Sequence, residues 1–376
     1  MSLDSIRGGG TVERTIQMSK SLAKAGHECT ILTTDVGFKN EQVDNLPGIN
    51  IVVFPAMLDR FYVPKLSCAS YTQLKKLVQE VDVIHFMGHW IFLNVLVFHL
   101  AQRFNKPYVV CPAGELAIYG RSVLIKKIFN LLIGKKIIRN ASGHVAIADN
   151  EIPRFNEYGI ETKRITVIPN GIAVEDLQFR DDLDFRNKYG IGTNPFILFV
   201  GRLNPIKGPD LLLSAYNNIQ EKKDYHLVFV GPDGGMLTEL KNMAAKFEIE
   251  DRVHFIGYLG GKEKSQAYYA SDLLVIPSRQ EAMSIVVLEA GCTGTPVVIT
   301  NQCGFDEVES IGGGLVVSAT VEGLHAGIES ILGDRIKLDL MGCKLKDFVY
   351  KEFLWSSVVN KYIELYNRIL EGQIIS

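Results

Sequence analysis

Ten short runs of Val, Ile, Leu and Phe constrain this chain more than any other feature. The first five are CTILTT (29–34), DVIHF (82–86), PYVVC (107–111), HVAIA (144–148) and RITVIP (164–169). The second five are FILFVG (196–201), HLVFVG (226–231), RVHFIG (252–257), DLLVIP (272–277) and PVVIT (296–300). Their apolar residues are nearly continuous rather than alternating, so they suit strands buried on both faces of a parallel sheet. Segments of helical length separate them, such as TVERTIQMSKSLAKAG (11–26) with its glycine stop. The implied class is α/β, in two doubly wound layers.

The two series break at IPNGIAVEDLQFR (168–180), where Asn170-Gly171 marks a turn and charges follow. At 376 residues the chain exceeds one ordinary core, in keeping with two domains. The expected boundaries are 1–169, 170–353, and a closing helical segment 354–376. Ahead of the first helix stand only MSLDSIR and a run of three glycines. That is too short and polar for a central strand, so the first sheet is expected to lack its leading strand.

Charge divides unevenly. Residues 1–170 carry 20 Lys+Arg against 14 Asp+Glu, and residues 171–376 carry 20 against 28. The basic excess gathers in GRSVLIKKIFNLLIGKKIIRN (120–140), with six cations and no acid. Apolar residues recur among those cations at helical spacing, which predicts a basic amphipathic helix. Its outer face is either plainly solvated or rests on anionic lipid; no aromatic platform suits nucleic acid. Six scattered cysteines without a C-x-x-C pair fit a reducing, cytoplasmic setting, peripheral at most to the inner membrane face. The most apolar run, IFLNVLVFHLA (91–101), is too short to cross a bilayer.

Three segments of the second half carry the chemistry. In FILFVGRLNPIKGPDLLLSAY (196–216) a strand runs into a loop holding Arg202 and Lys207. Ligands bind at such strand ends, and two cations there suit a diphosphate. In PSRQEAMSIVVLEAGCTGTPVV (277–298), Ser284 is the expected N-cap of a helix over 285–291. The first amides of that helix, of Ser284 and Ile285, would form an anion site. Glu281 precedes it, and Glu289 lies five residues inside, roughly 7–8 Å along the axis. That reach suits a ribose beyond a diphosphate; two solvated glutamates on an amphipathic helix is the plainer reading. Without a ligand, a carboxylate among Val287, Leu288 and Ala290 needs another partner. Third, Tyr258 and Leu259 lie in a glycine-flanked stretch after a strand, either a backbone approach to a base or an ordinary turn.

The order VGRLNPIKG, FIGYLG, ASDLLVIPSRQEAMSIVVLEAGCTGTPVV resembles retaining glycosyltransferase family four. GGGTVERTIQMSKSLAKAGHECTILTTD (8–35), VIPNGI (167–172) and FLWSSVVNKYIELYNRIL (353–370) extend the likeness over the whole chain. The resemblance implies the GT-B fold, two Rossmann-like doubly wound parallel-sheet domains facing across a cleft. It implies a metal-independent hexosyltransferase that takes a nucleotide-diphosphate-sugar donor and uses no cofactor. Family members make sucrose-related sugars, small thiols and polysaccharides, so the acceptor stays open, and the basic segment 120–140 adds a lipid-linked one as a candidate. Arg202 and Lys207 would hold the diphosphate, Glu281 the donor hexose and Glu289 the ribose. Ser284 and Ile285 amides would bind phosphate, and a loop with Gly9 and Gly10 would close over the donor. The final helix would cross back onto the first domain.

Two departures from the family matter: the leading strand, which in relatives runs into the glycine-rich loop, is missing, and one histidine is replaced. Ala113, in VVCPAGELAIYG (109–120), stands where many relatives carry His between Pro and Gly. His89, in HFMGHW (85–90), could supply a sugar or acceptor contact instead, or be a satisfied structural histidine. An epimerase or phosphorylase on the same fold is a weaker reading. A degenerate nucleotide-sugar-binding protein without transferase activity is the alternative from another class.

Overall fold

The computed structural model describes residues 3, 5–38, 46, 48–58, 62–118, 122–219 and 225–372, with only the backbone of 5–9. The chain divides into two compact units, Met1–Gly171 with Trp355–Ser376, and Ile172–Leu354.

In the first unit the strands are β1 (Cys29–Thr34), β2 (Ile49–Phe54), β3 (Ala56–Leu58), β4 (Val63–Pro64), β5 (Ile84–Met87), β6 (Tyr108–Cys111), β7 (Gly143–Ala146) and β8 (Ile165–Val167). β5 to β8 form a four-stranded parallel sheet in that order, and β1 pairs in parallel with β2. β3 and β4 make a small antiparallel pair. All five expected strands of this half are present. β2 was missed, since Asn50 interrupts its apolar run and Pro47 and Gly48 read as a turn.

The first helix, Ser5–Lys24, corrects one expectation. Gly8, Gly9 and Gly10 are helical and form no loop. Glycine lowers helix propensity by about 1 kcal/mol relative to alanine, so the run read as a break. Packing outweighs that cost, because Val12, Met18 and Leu22 of the same helix are all buried.

Arg14, also on this helix, is fully buried. Its guanidinium donates to Ile168 O at 3.0 Å, to Asn170 Oδ1 and to the Tyr362 hydroxyl. One side chain thereby joins the first helix, the segment after β8, and the final helix, Trp355–Leu370. That helix lies within the expected closing segment 354–376 and buries Trp355, Val358, Val359, Tyr362 and Leu365.

The second unit holds β9 (Phe196–Val200), β10 (His226–Val230), β11 (Val253–Gly257), β12 (Leu273–Ile276), β13 (Val297–Thr300) and β14 (Gly314–Val317). These form one parallel sheet, ordered β11-β10-β9-β12-β13-β14. Leu198, Leu227, Leu274, Val275 and Val297 are completely buried, as continuous apolar strands require. β14 gives little sequence signal, because only three apolar residues follow the glycines at 312–314. Strand order reverses between β9 and β12, so their carboxyl ends flank a crevice of the kind that binds ligands.

Candidate functional site

The loops leaving β9 and β12 carry the expected residues. After β9, Gly201 and Arg202 lead into a tight turn in which Lys207 N donates to Asn204 Oδ1 at 3.0 Å. Gly208 then caps the helix Pro209–Asn218 with a left-handed φ of 67°. Only glycine fits: a Cβ there would lie 2.1 Å from Pro277 O. The two loops are therefore in backbone contact. Arg279 tightens the join, donating from its backbone to Ile206 O at 2.8 Å and pairing with Asp210 through both guanidinium nitrogens at 2.9 and 2.6 Å.

That contact brings Lys207 to Glu281 in a direct ion pair. Glu281 also accepts from Ser278 Oγ at 2.8 Å, and its backbone donates to Gln302 O at 2.8 Å. Its side chain is only 7% exposed, so both partners keep its charge satisfied in a largely desolvated position. Burial first, then the Glu281 charge, push the nearby Cys303 thiol up to about 12. It is therefore no nucleophile at neutral pH.

Ser284 is the N-cap of the helix Ile285–Thr293, which starts where expected and runs two residues further. Its side chain makes no capping bond. Ser284 is 2% exposed, and its Oγ is buried without a hydrogen-bond partner. A buried hydroxyl left unpaired costs about 1–3 kcal/mol. Here it stands at the positive end of a helix, beside amides that lack intrahelical partners. Asp182-Leu183-Asp184, an Asp-x-Asp tripeptide, lies in the first turn of the helix Asp182–Lys188. No group of three or more His, Cys, Asp or Glu among the described residues could hold a metal ion.

Glu289 is buried on the same helix and has two partners that sequence reasoning did not name. Lys264 Nζ donates to Oε1 at 2.6 Å, and the Tyr268 hydroxyl to Oε2 at 2.6 Å. Both lie on the helix Gly261–Ala270. Their i, i+4 spacing in KSQAY was the available signal, since it puts a cation and a hydroxyl on one face. Burial, and then the Glu289 charge, hold the Tyr268 hydroxyl well above its ordinary pKa, so it stays a donor. Tyr258 is half exposed and Leu259 buried, between the positive-φ glycines 257 and 261.

The remaining expected residues belong to the first unit. Gly9 and Gly10 are helical, as described. His89 is 2% exposed, its Nε2 lies 2.8 Å from Asn130 Oδ1, and its backbone donates to Glu115 Oε2 at 2.7 Å. Burial lowers its pKa to about 4, partly offset by the Asn130 bond. This favours the structural reading of His89 over a sugar contact. Ala113 takes a left-handed φ of 49°. Two carboxylates, unremarked in the sequence, hold its turn: buried Glu151 accepts from Gly114 N, and half-buried Glu115 from His89 N. Burial raises the pKa of both.

The family model described as "Glycosyltransferase Family 4" matches residues 8–176, and that described as "Glycosyl transferases group 1" matches residues 181–345. A D-inositol 3-phosphate glycosyltransferase of Nocardia farcinica is 30% identical over 96% of this chain and 85% of its own. The chain belongs to glycosyltransferase family four.

This glycosyltransferase is also 25% identical to one from Methanocaldococcus jannaschii, over 96% of this chain and 95% of that one. Among solved structures, Anabaena HepE in complex with UDP and glucose is similar with a TM-score of 0.81 at 19% identity, over 97% of each chain. Sucrose-phosphate synthase from Thermosynechococcus elongatus gives 0.79 at 21%, over 97% of this chain and 94% of that one. The fold of this glycosyltransferase is GT-B.

Proposed function

We propose that this glycosyltransferase takes a nucleotide-diphosphate-sugar donor and transfers the sugar with retention of configuration, without a bound metal, to a lipid-linked or polysaccharide acceptor. The observation that carries the reading is the orphaned Ser284 hydroxyl at the N-terminus of helix 285–293, beside the Lys207–Glu281 pair. A diphosphate seated there would satisfy that hydroxyl and the first helix amides. Lys207 and Arg202 would meet the charge that develops as the glycosyl bond breaks, in place of a divalent ion. Glu281 would turn to the hexose, and Glu289 would accept from the ribose hydroxyls.

Retention follows if the acceptor attacks from the face the nucleotide leaves. No protein nucleophile is then needed, and the inert Cys303 thiol is consistent with that. The competing reading is nucleotide-sugar binding without transfer; Ala113, in place of the family's histidine, is what favours it.

Calorimetric titration of uridine, guanosine and adenosine diphosphates into the wild type and Glu289→Ala tests the donor site. Uridine comes first, because HepE shares the fold and is in complex with UDP. One nucleotide should bind, and the variant should weaken it by about 1.5–3 kcal/mol. No binding by any of the three would sink the reading. Binding with no turnover across a sugar and acceptor panel would turn it into the competing one. The anomeric configuration of a product, read by NMR, decides retention.

A further inference from the structure

The basic segment forms helical turns Val123–Phe129, a π-helical turn Asn130–Gly134, and Lys135–Arg139. Its apolar residues are on the outside as well as the inside. Leu131 is 81% exposed, Leu124 71% and Leu132 66%, with Ile125 and Ile128 close to half. The inward face is already occupied. Ile137 and Ile138 are buried in the core of the first unit, and Phe129 and Ile133 pack against it. Asn130 is fixed there too, lying 2.8 Å from His89 Nε2 and donating to the Tyr158 hydroxyl at 2.6 Å. A Cβ on Gly134 would come within 2.3 Å of Asn130 Oδ1, so this face has no slack. Rotating the helix cannot bury the outer leucines.

We infer that this outer face docks on an anionic membrane surface, with the helix lying in the plane of the interface. Leu124, Ile128, Leu131 and Leu132 enter the acyl boundary, while Lys127, Lys135, Lys136 and Arg139 meet lipid headgroups. Charge selects the occupant. From residue 116 to 148 the sequence has six Lys+Arg and no Asp or Glu. A symmetric second copy would press this positive surface against itself. Exposed leucines on a helix that carries this run of cations match a surface offering both acyl chains and negative charge. Among the described residues no helix is long and apolar enough to cross a membrane, so this contact lies on the bilayer. The inference deepens the proposed function by naming where a lipid-borne acceptor would be met. The docking itself does not depend on the donor reading.

Sedimentation with vesicles of phosphatidylcholine, alone or doped with phosphatidylglycerol, tests it on the full chain. The wild type should bind anionic vesicles at least about tenfold better than neutral ones, with the difference shrinking in high salt. The double variant Leu124→Gln/Leu131→Gln should lose about tenfold or more of that binding. It should keep its thermal midpoint and its nucleotide titration, which separates failed docking from failed folding or a failed donor site. No vesicle binding by the wild type would overturn the inference, and so would a variant that binds as well as wild type. A concentration-dependent dimer in vesicle-free buffer, abolished by the variant, would assign the face to a second copy instead.

Discussion

The Tyr268 hydroxyl donates to Glu289 Oε2 at 2.6 Å across two neighbouring helices of the second unit. With Lys264 on the other oxygen, it occupies the carboxylate that the proposed function gives to ribose. Each carboxylate oxygen can accept more than one bond, so these partners orient the group and leave it acceptor capacity for further hydroxyls.

Tyr268→Phe should lower stability by about 1.5–3 kcal/mol, the worth of a hydrogen bond to a charged group. It should also weaken the nucleotide more than its 2′-deoxy analogue. Thermal unfolding and paired titrations check the two parts. Equal weakening of both nucleotides would separate Tyr268 from ribose recognition.

Removing Lys207 leaves Glu281 largely buried, with the Ser278 hydroxyl as its remaining side-chain partner among the described residues. Lys207→Ala should cost about 2–3 kcal/mol of stability, somewhat less than a fully buried pair because Lys207 is one-third exposed. The transfer rate should drop by roughly 100- to 1,000-fold. Steady-state rates at saturating donor, measured well below the variant's melting point, separate the two effects.

Gly208→Ala places a Cβ against Pro277 O and forces a left-handed φ on alanine. The backbone term alone is about 1–2 kcal/mol, and the overlap adds to it, so a loss near 3 kcal/mol is expected. Gly190→Ala is the control, since its φ is 66° and a Cβ there meets nothing within 4 Å. Comparable melting points for the two variants would refute the close approach of the loops.

Ala113→Gly should act in the opposite direction. Relief of the left-handed strain, about 1–2 kcal/mol, exceeds the entropy that glycine adds to the unfolded chain, about 0.4–1 kcal/mol. A net gain near 0.5–1 kcal/mol should appear in denaturant unfolding. Ala113→His should also be tolerated, because histidine is enriched at positive φ.

Acid should destabilise the first unit through its histidines. Burial lowers His85 to about 3 and His89 and His144 to about 4. Below pH 6.5 each takes up a proton more readily unfolded than folded. Each therefore costs about 1.4 kcal/mol per pH unit until its folded pKa is reached. Glu115 and Glu151, with raised pKa values, work the other way and offset part of the loss. His144→Gln should remove one histidine's share of the slope between pH 6.5 and 4. An unchanged slope would show that His144 is not held neutral.

Much of the fold was legible because strand continuity is a strong local signal. All ten expected strands exist within a residue or two, and helix 285–293 begins at its expected cap. β2 and β14 were lost because Asn50 in one and the leading glycines 312–314 in the other weaken that signal. Arg202, Lys207, Glu281, Ser284 and Glu289 could be picked out from spacing at strand ends. For Lys264 and Tyr268 the i, i+4 spacing gave a shared face but no partner, which exists only once helix 261–270 packs beside helix 285–293. Gly8 to Gly10 misled for the converse reason: local propensity favoured a loop, and burial of Val12, Met18 and Leu22 decided for helix. The exposed Leu124 and Leu131 were equally hidden, since helical spacing alone says only that apolar residues share a side.

Arg14 ties residue 168, residue 170 and Tyr362 together inside the first unit. Synthesis runs from the N-terminus, so all of Ile172–Leu354 emerges between two parts of that knot. The second unit has its whole chain out of the ribosome before the first has its last helix. Until then Arg14 lacks one of its partners, and the surface that Trp355, Val358 and Leu365 will cover is open. The half made first is thus the half finished last, and a chain cut short between residues 172 and 355 would keep Arg14 with residues 168 and 170 but without Tyr362.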